Sequence, residues 1–320
     1  MIRVGIVGGA GYTAGELIRI LLNHSEAEIT FIHSSSNAGG LVCDVHSGLI
    51  GETDLRFCEN FDLEGIDVLF LCSAHGKSRE FWQSRTMPKG LKVIDLAQDF
   101  RDESDGYVYG LPELNYERIQ GANKIANPGC FATAIQLAVL PLAKAGLLED
   151  DIHVTAITGS TGAGVKPSPT THFSWRSNNL SAYKVFTHQH LIEIKRNLAL
   201  SQPSFDGEIR FVPIRGGFAR GIFASVYTRC SLSLEEAVKL YNDFYKDAAF
   251  TFVASTQVDM KQAVGTNKCI LSLEKYGDTL HISSVIDNLI KGASGQAVQN
   301  MNIIFGLDQT AGLRLKAMAF

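Results

Sequence analysis

What most restricts the fold of this chain is a glycine turn set between a strand and a helix. The apolar run Ile2–Val7 leads into Gly8-Gly9-Ala10-Gly11-Tyr12-Thr13-Ala14-Gly15, and Glu16–Leu22 then places Leu17, Ile18, Leu21 and Leu22 at helical spacing. A buried strand that turns on glycines into a helix is the opening of a βαβ unit. There the glycines let the backbone turn tightly and approach a pyrophosphate. The helix N-terminus adds N–H donors and the positive end of its dipole. Further short apolar runs at Ile29–His33, Val68–Cys72 and Lys92–Asp95 continue the pattern between polar loops. The expected class is α/β, its first domain a Rossmann-like doubly wound parallel sheet that binds ligands at the carboxyl ends of its strands.

From about Asp151 the pattern changes. Ile152–Ile157, Ile209–Pro213, Ile222–Leu232, Cys269–Leu273 and Leu280–Ile286 are longer apolar runs, suited to a second α+β domain with a mixed sheet. Amphipathic stretches lie between them, and Leu234–Asp247 has its start marked by Ser233 and Glu236 at capping-box spacing. The tail Gly295–Phe305 is again helical in pattern and is expected to return to the first domain. A length of 320 residues suits two domains, here residues 1–129 joined by a C-terminal helix at about 295–320, and residues 130–294.

The formal net charge of −4 leaves no global positive field for nucleic acid or an anionic membrane. An anionic ligand must therefore be caught by a few local cations, which suits a small metabolite. The six cysteines form no C-x-x-C pair and show no zinc-ligand spacing, so no metal site is expected. Scattered thiols fit a reducing compartment. No apolar stretch approaches the ~18 residues of a membrane span, and Met1 runs directly into the first strand. The expected location is the cytoplasm.

The cofactor preference is read at the end of the second strand. An acidic residue there binds the ribose 2′-hydroxyl of NAD, whereas this chain has His33-Ser34-Ser35-Ser36-Asn37. Hydroxyls and amides can donate to a 2′-phosphate, so NADP is expected. Gly8, Gly11, Tyr12, Thr13 and Ala14 would hold the pyrophosphate, and Ser34 and Ser36 the 2′-phosphate.

Asn127-Pro128-Gly129-Cys130-Phe131-Ala132-Thr133 precedes a helical run from Ala134 to Lys144. Cys130 thus falls near a helix N-terminus, where the dipole favours a thiolate. The bland alternative is a buried structural thiol, the role expected of the other five cysteines. In His188-Gln189-His190-Leu191-Ile192-Glu193, two imidazoles and a carboxylate sit near the start of a helix Leu191–Leu200. They suit a general acid/base with an orienting partner, or else a solvated polar turn.

Taken together, these motifs resemble the N-acetyl-gamma-glutamyl-phosphate reductase family of the semialdehyde dehydrogenase superfamily, over essentially the whole chain. The resemblance rests on Gly8–Leu17, Ile94–Arg101, Tyr109–Glu113, Asn127–Thr133, Gly159–Gly164, His188–Ile194, Arg220-Gly221 and Lys291–Asn300, with N-P-G-C-F-A-T the most specific piece. The chain departs from the family pattern at Ala14-Gly15, at Ile192 in place of a proline, and at Ile214 and Gly217 in place of a histidine and a proline. What the resemblance implies is NADPH-dependent reduction of an N-acyl-γ-glutamyl phosphate to a semialdehyde through a thioester on Cys130. His188 and His190 are then catalytic, with the proton-transferring member open. Glu193 orients a histidine or contacts substrate, and Arg101 and Arg220 hold phosphate and carboxylate. Ser73, His75, Gly76, Gly162 and Asn288 face the cofactor. Residues 130–294 become a catalytic and oligomerisation domain, and the assembly a homodimer or homotetramer. N-acetyl and N-succinyl substrates both remain open. An aspartate-semialdehyde dehydrogenase-like enzyme and a nicotinamide-binding sensor without catalysis are the competing readings.

Overall fold

Strand β1 (Ile2–Val7) lies inside a parallel sheet because its apolar side chains face both ways, and Val4, Ile6 and Val7 are all buried. In the computed structural model, which describes residues 1–318, the chain divides into two compact units. The first is Met1–Pro128 with Ala293–Arg314, and the second is Gly129–Gly292 with the described residues from Leu315 onward.

The sheet of the first unit also holds β2 (Ala27–His33), β3 (Phe57–Cys58), β4 (Val68–Leu71), β5 (Lys92–Asp95), β6 (Val108–Tyr109) and β7 (Lys124–Ala126). Its order is β3-β2-β1-β4-β5-β7-β6, every pair parallel. Successive strands run outward from β1 in one direction and then, from β4, in the other. The reversal puts the topological switch point at the carboxyl end of β1, where Gly8 begins the turn. Helix α1 (Tyr12–Leu21) buries Ala14, Leu17, Ile18 and Leu21, spaced as one helical face. The unit adds α2 (Val42–Val45), α3 (Lys77–Gln83) and α4 (Pro112–Gln120).

In the second unit, β8 (Ile152–Thr158), β9 (Ser181–Ala182), β10 (Ile209–Arg215), β11 (Ile222–Arg229), β12 (Thr251–Val253), β13 (Cys269–Tyr276) and β14 (Thr279–Ile286) form a mixed sheet. The order is β12-β13-β14-β11-β8-β10-β9, with β10–β8 and β12–β13 parallel and the other pairs antiparallel. Helix α5 (Cys130–Lys144) is buried from Phe131 through Ala143 and packs on β11 and β14. Such an all-round apolar helix belongs in an interior. The short α6 (Phe173–Arg176) precedes β9, α7 (His190–Ser201) runs beside α5, and α8 (Leu234–Tyr245) starts at the Ser233–Glu236 capping box.

Helix α9 (Gly295–Ile304) returns to the first unit and packs on α1 and α4. Its Asn300 amide is anchored within this unit, donating to the Gly110 carbonyl at 2.9 Å and to Asn127 Oδ1 at 3.1 Å. The helix stops at Ile304, shorter than the expected segment to 320, and residues from Leu315 group with the second unit. Residues 319–320 of that segment lie outside the described residues. The strands β3, β6 and β7 have two or three residues each, too few to show a period in sequence. No helix among the described residues is long and apolar enough to cross a membrane.

Candidate active site

Cys130 is the first residue of α5, and Gly129 before it is the extended N-cap, with no side-chain cap over the helix end. Cys130 is partly exposed and forms no disulfide. A 15-residue helix directs its positive dipole end at this sulfur, which favours the thiolate. Of the other thiols, Cys230 and Cys269 are buried. Burial pushes the Cys72 thiol far up and raises that of Cys58.

Helix α7 fixes what surrounds Gly129. His190, Glu193 and Asn197 fall at positions i, i+3 and i+7, one face of a helix, and all three are buried. Asn197 Nδ2 donates to Gln136 Oε1 of α5 at 2.7 Å, and the Gly129 N–H donates to Glu193 Oε2 at 3.1 Å. At the head of this face His190 lies so close that a Cβ on Gly129 would stand 2.3 Å from its Nε2. Only glycine admits the imidazole against the backbone one residue before the sulfur. Glu193 therefore positions the Cys130 turn in addition to anything it does for substrate.

The two histidines, equivalent in sequence, are unlike in structure. His188 is caged edge-on by Phe131 at 5.5 Å, Tyr183 at 5.6 Å, Phe211 at 5.5 Å and His190 at 4.6 Å between ring centroids. Its Nδ1 accepts the His190 N–H at 3.2 Å. Burial, and after it Lys184 and Arg215, hold its pKa down to about 4 from an ordinary 6.5. Below pH 6.5 the unfolded chain binds a proton at His188 that the folded chain refuses until about pH 4. This contribution to stability is therefore lost as pH falls through that window. His188→Gln is expected to flatten the fall of Tm between pH 6.5 and 4, measured as the difference between wild-type and variant melting curves. Parallel curves would mean that His188 protonates freely in the fold.

Both arginines expected from sequence are engaged with protein groups. Arg101 is buried and donates to the carbonyls of Asn127 at 2.9 Å and Leu96 at 3.2 Å, so it ties down the strand end that leads into the nucleophile turn. Arg220 sets its fork on Asp287, Nε to Oδ2 at 3.1 Å and Nη2 to Oδ1 at 3.2 Å. Asn288 receives the Gly221 N–H at 2.8 Å and donates to Thr161 Oγ1 at 3.0 Å, within the 3₁₀ turn Ser160–Ala163 that contains Gly162. The sequence did not single out Tyr183 or Arg215. Arg215 lies over the Tyr183 ring at 4.6 Å. Burial, then Cys130, push the Tyr183 phenol up to about 12.

In the first unit, Gly8 holds φ at +84°, and a Cβ there would meet the Cys72 carbonyl carbon at 2.8 Å. Gly11 is the extended N-cap of α1 with no side chain closing the helix end, Ala14 is buried, and the Thr13 carbonyl accepts Ser294 Oγ at 2.6 Å. Tyr12 is exposed. At the end of β2, Asn37 Nδ2 donates to Ser34 Oγ at 3.0 Å and Ser36 Oγ at 2.9 Å, clustering the two hydroxyls. Arg56, distant in sequence, reaches this loop through the Gly39 carbonyl at 2.8 Å. Ser73, His75 and Gly76 follow β4. His75 Nδ1 accepts the Gln98 N–H at 3.2 Å, and the Gly76 N–H goes to Asp99 Oδ1 at 2.6 Å. Among the described residues no three His, Cys, Asp or Glu side chains are grouped to hold a metal ion.

Comparison with known proteins supplies the family. The model for the semialdehyde dehydrogenase NAD binding domain matches residues 3–122, and that for the semialdehyde dehydrogenase dimerisation domain matches residues 130–288. The N-acetyl-gamma-glutamyl-phosphate reductases of Parabacteroides distasonis and Bacteroides thetaiotaomicron are each 58% identical over all of both chains. That of Flavobacterium johnsoniae is 53% identical over the same full extent. The chain belongs to the N-acetyl-gamma-glutamyl-phosphate reductase family.

Solved structures extend the likeness in fold alone. Aspartate semialdehyde dehydrogenase II of Vibrio cholerae superposes with a TM-score of 0.74 at 18% identity, over 96% of this chain and 99% of that one. The aspartate semialdehyde dehydrogenase of Candida albicans, solved with NADP, gives 0.72 at 16% identity, over 95% and 98%. Within this reductase family the nicotinamide-binding unit and the glycine turn coincide: residues 3–122 carry Gly8, the open N-terminus of α1 and the Ser34–Asn37 cluster. These residues fit a dinucleotide. No side chain caps the N–H groups at the start of α1, as binding of a pyrophosphate there requires, and hydroxyls, without a carboxylate, stand after β2.

Proposed function

We propose that this chain reduces an N-acyl-γ-glutamyl phosphate to the N-acylglutamate semialdehyde with NADPH, through a thioester on Cys130, as a step of arginine biosynthesis. The observation that carries this reading is Cys130 at the head of α5, with His190 against Gly129 and Glu193 holding the Gly129 N–H. The full-length identity of 58% to N-acetyl-gamma-glutamyl-phosphate reductases supports the substrate.

The mechanism follows from these groups. His190 takes the Cys130 proton, and the thiolate adds to the acyl phosphate carbonyl. The C–O bond to phosphate breaks, phosphate leaves with the electron pair, and a thioester remains. Bound reduced nicotinamide supplies the hydride that takes this thioester to the aldehyde level. The C–S bond then breaks as the aldehyde carbonyl forms, returning the Cys130 thiolate beside a protonated His190. Glu193 keeps the turn in place throughout, and the aromatic cage holds His188 neutral, where its Nδ1 fixes the start of α7.

Gly8, Gly11, Tyr12, Thr13 and Ala14 hold the cofactor pyrophosphate in this reading, with Ser34 and Ser36 at the 2′-phosphate and Arg56 beside them. The kcat/KM with NADPH is expected to exceed that with NADH, and Arg56→Gln to narrow the gap. An NADH preference of tenfold or more, about 1.4 kcal/mol, would overturn the reading of this loop. Turnover with N-acetyl and N-succinyl substrates side by side, each read as acyl-phosphate-dependent NADPH oxidation, tests the function and its acyl group. A homodimer or homotetramer, and a cytoplasmic location, belong to the same reading. Self-association is supported by the dimerisation-domain match and by the exposed Phe173, Trp175, Leu180 and Phe186 of the second unit.

A further inference from the structure

Arg215 ends β10 at the position in register with Thr158, the last residue of the parallel neighbour β8. Its Nε is buried and meets no hydrogen-bond partner, and the same is true of Thr158 Oγ1. No carboxylate among the described residues pairs with this guanidinium, in contrast with Arg220, whose fork is satisfied by Asp287. Its main chain is fixed instead: the Arg215 carbonyl accepts Arg176 Nη1 at 2.6 Å, and β9 pairs Ser181 with Arg215 on the other side. The side chain lies on the Tyr183 ring, which stands beside His188. The phenol of Tyr183 is perturbed by Cys130, and the imidazole of His188 by Arg215. Arg215 is therefore a cation of the nucleophile's own surroundings, held on a strand beside Tyr183, with its buried Nε directed at no protein acceptor. A partly buried cation and a buried hydroxyl left unsatisfied side by side are costly unless a ligand completes them.

We infer that Arg215, with Thr158 beside it, is a substrate-binding residue that takes an anionic oxygen group of the substrate, carboxylate or phosphoryl. This rests on the proposed reduction of a glutamyl phosphate. That substrate class offers three sources of the same chemistry: the phosphoryl group, the α-carboxylate, and a carboxylate on the acyl group when the acyl group is succinyl. A guanidinium fork suits each of them.

The test compares the wild-type enzyme with Arg215→Gln and Arg215→Lys, both checked for unchanged Tm. KM and kcat are measured with N-acetyl- and N-succinyl-γ-glutamyl phosphate, and KM for inorganic phosphate in the reverse direction. Arg215→Gln is expected to raise KM about 10- to 100-fold with kcat little changed, the loss of one hydrogen-bonded charge pair. Arg215→Lys should fall between. A rise confined to the succinyl substrate assigns the acyl carboxylate. A rise in KM for inorganic phosphate assigns the phosphoryl group, and equal rises with both acyl substrates alone assign the α-carboxylate. Unchanged KM values, or a loss confined to kcat, overturn the inference and leave Arg215 as packing for Tyr183. A second measurement does not depend on turnover: protection of Cys130 from iodoacetamide by phosphate, N-acetylglutamate and N-succinylglutamate. Protection present in wild type and lost in Arg215→Gln supports the inference, while protection absent from wild type or retained in the variant overturns it. Failure of the wild type to reduce either acyl phosphate refutes the proposed function and leaves the protection result to decide Arg215.

Discussion

Cys130→Ser is expected to lower reduction of the acyl phosphate by about 10³-fold or more while NADPH still binds with near wild-type affinity. The substitution is close to isosteric, so α5, its Gly129 cap and the Glu193 contact stay in place. What changes is the nucleophile. A hydroxyl at a helix N-terminus remains protonated at neutral pH, where a thiol at the same place is readily ionised. The dinucleotide groups Gly8, Gly11 and Ser34–Asn37 are on the other unit and are untouched. Two measurements check this: steady-state NADPH oxidation, and intact-mass detection of an acylated enzyme without cofactor, seen in wild type and absent in the variant. Turnover of the serine enzyme near the wild-type rate would remove the covalent mechanism altogether.

The parts of this molecule that sequence made plain are those whose signal is local. The glycine turn after β1 needs only a strand, a turn and a helix in succession, and Gly8 at φ +84° against the end of β4 is the physical reason for it. The Ser233–Glu236 cap is equally local, and both of its reciprocal bonds form. Cys130 was readable for the same reason, because Pro128-Gly129 before an apolar run marks a helix start.

What sequence left dark depends on tertiary placement. His188 and His190 are indistinguishable two residues apart, yet one ring is caged by Phe131, Tyr183 and Phe211 and the other is laid on Gly129. Arg101 and Arg220 looked like ligand cations, but a guanidinium's partners are set by the fold, and theirs include carbonyls and Asp287. Arg215 sits one residue from the departure at Ile214. Its unsatisfied Nε, though, follows only from the register of β8, β10 and β9. Arg56 joins the Ser34–Asn37 loop from a segment that shows no motif of its own.

Replacing His190 by Asn is expected to lower kcat by about 10²–10⁴-fold, the usual range for a positioned acid or base. The geometry makes the prediction asymmetric between the two histidines. His190 is the residue whose Nε2 lies against Gly129, the residue before Cys130, and it heads the α7 face that Glu193 and Asn197 lock to α5. Its loss removes the acceptor for the Cys130 proton while leaving that lock intact. His188 instead stays neutral down to about pH 4 inside an aromatic cage, so it neither takes nor gives a proton at working pH. His188→Asn is therefore expected to affect stability and KM more than kcat, through the hydrogen bond its Nδ1 accepts from the His190 N–H. The pH dependence separates proton transfer from mere packing. In His190→Asn, activity should recover as rising pH ionises Cys130 without help, so the rate keeps climbing where the wild-type profile is flat. The reverse asymmetry, with His188→Asn losing kcat and His190→Asn keeping it, would exchange the two roles. Full kcat in both variants would reduce the cluster to the packing that starts α7.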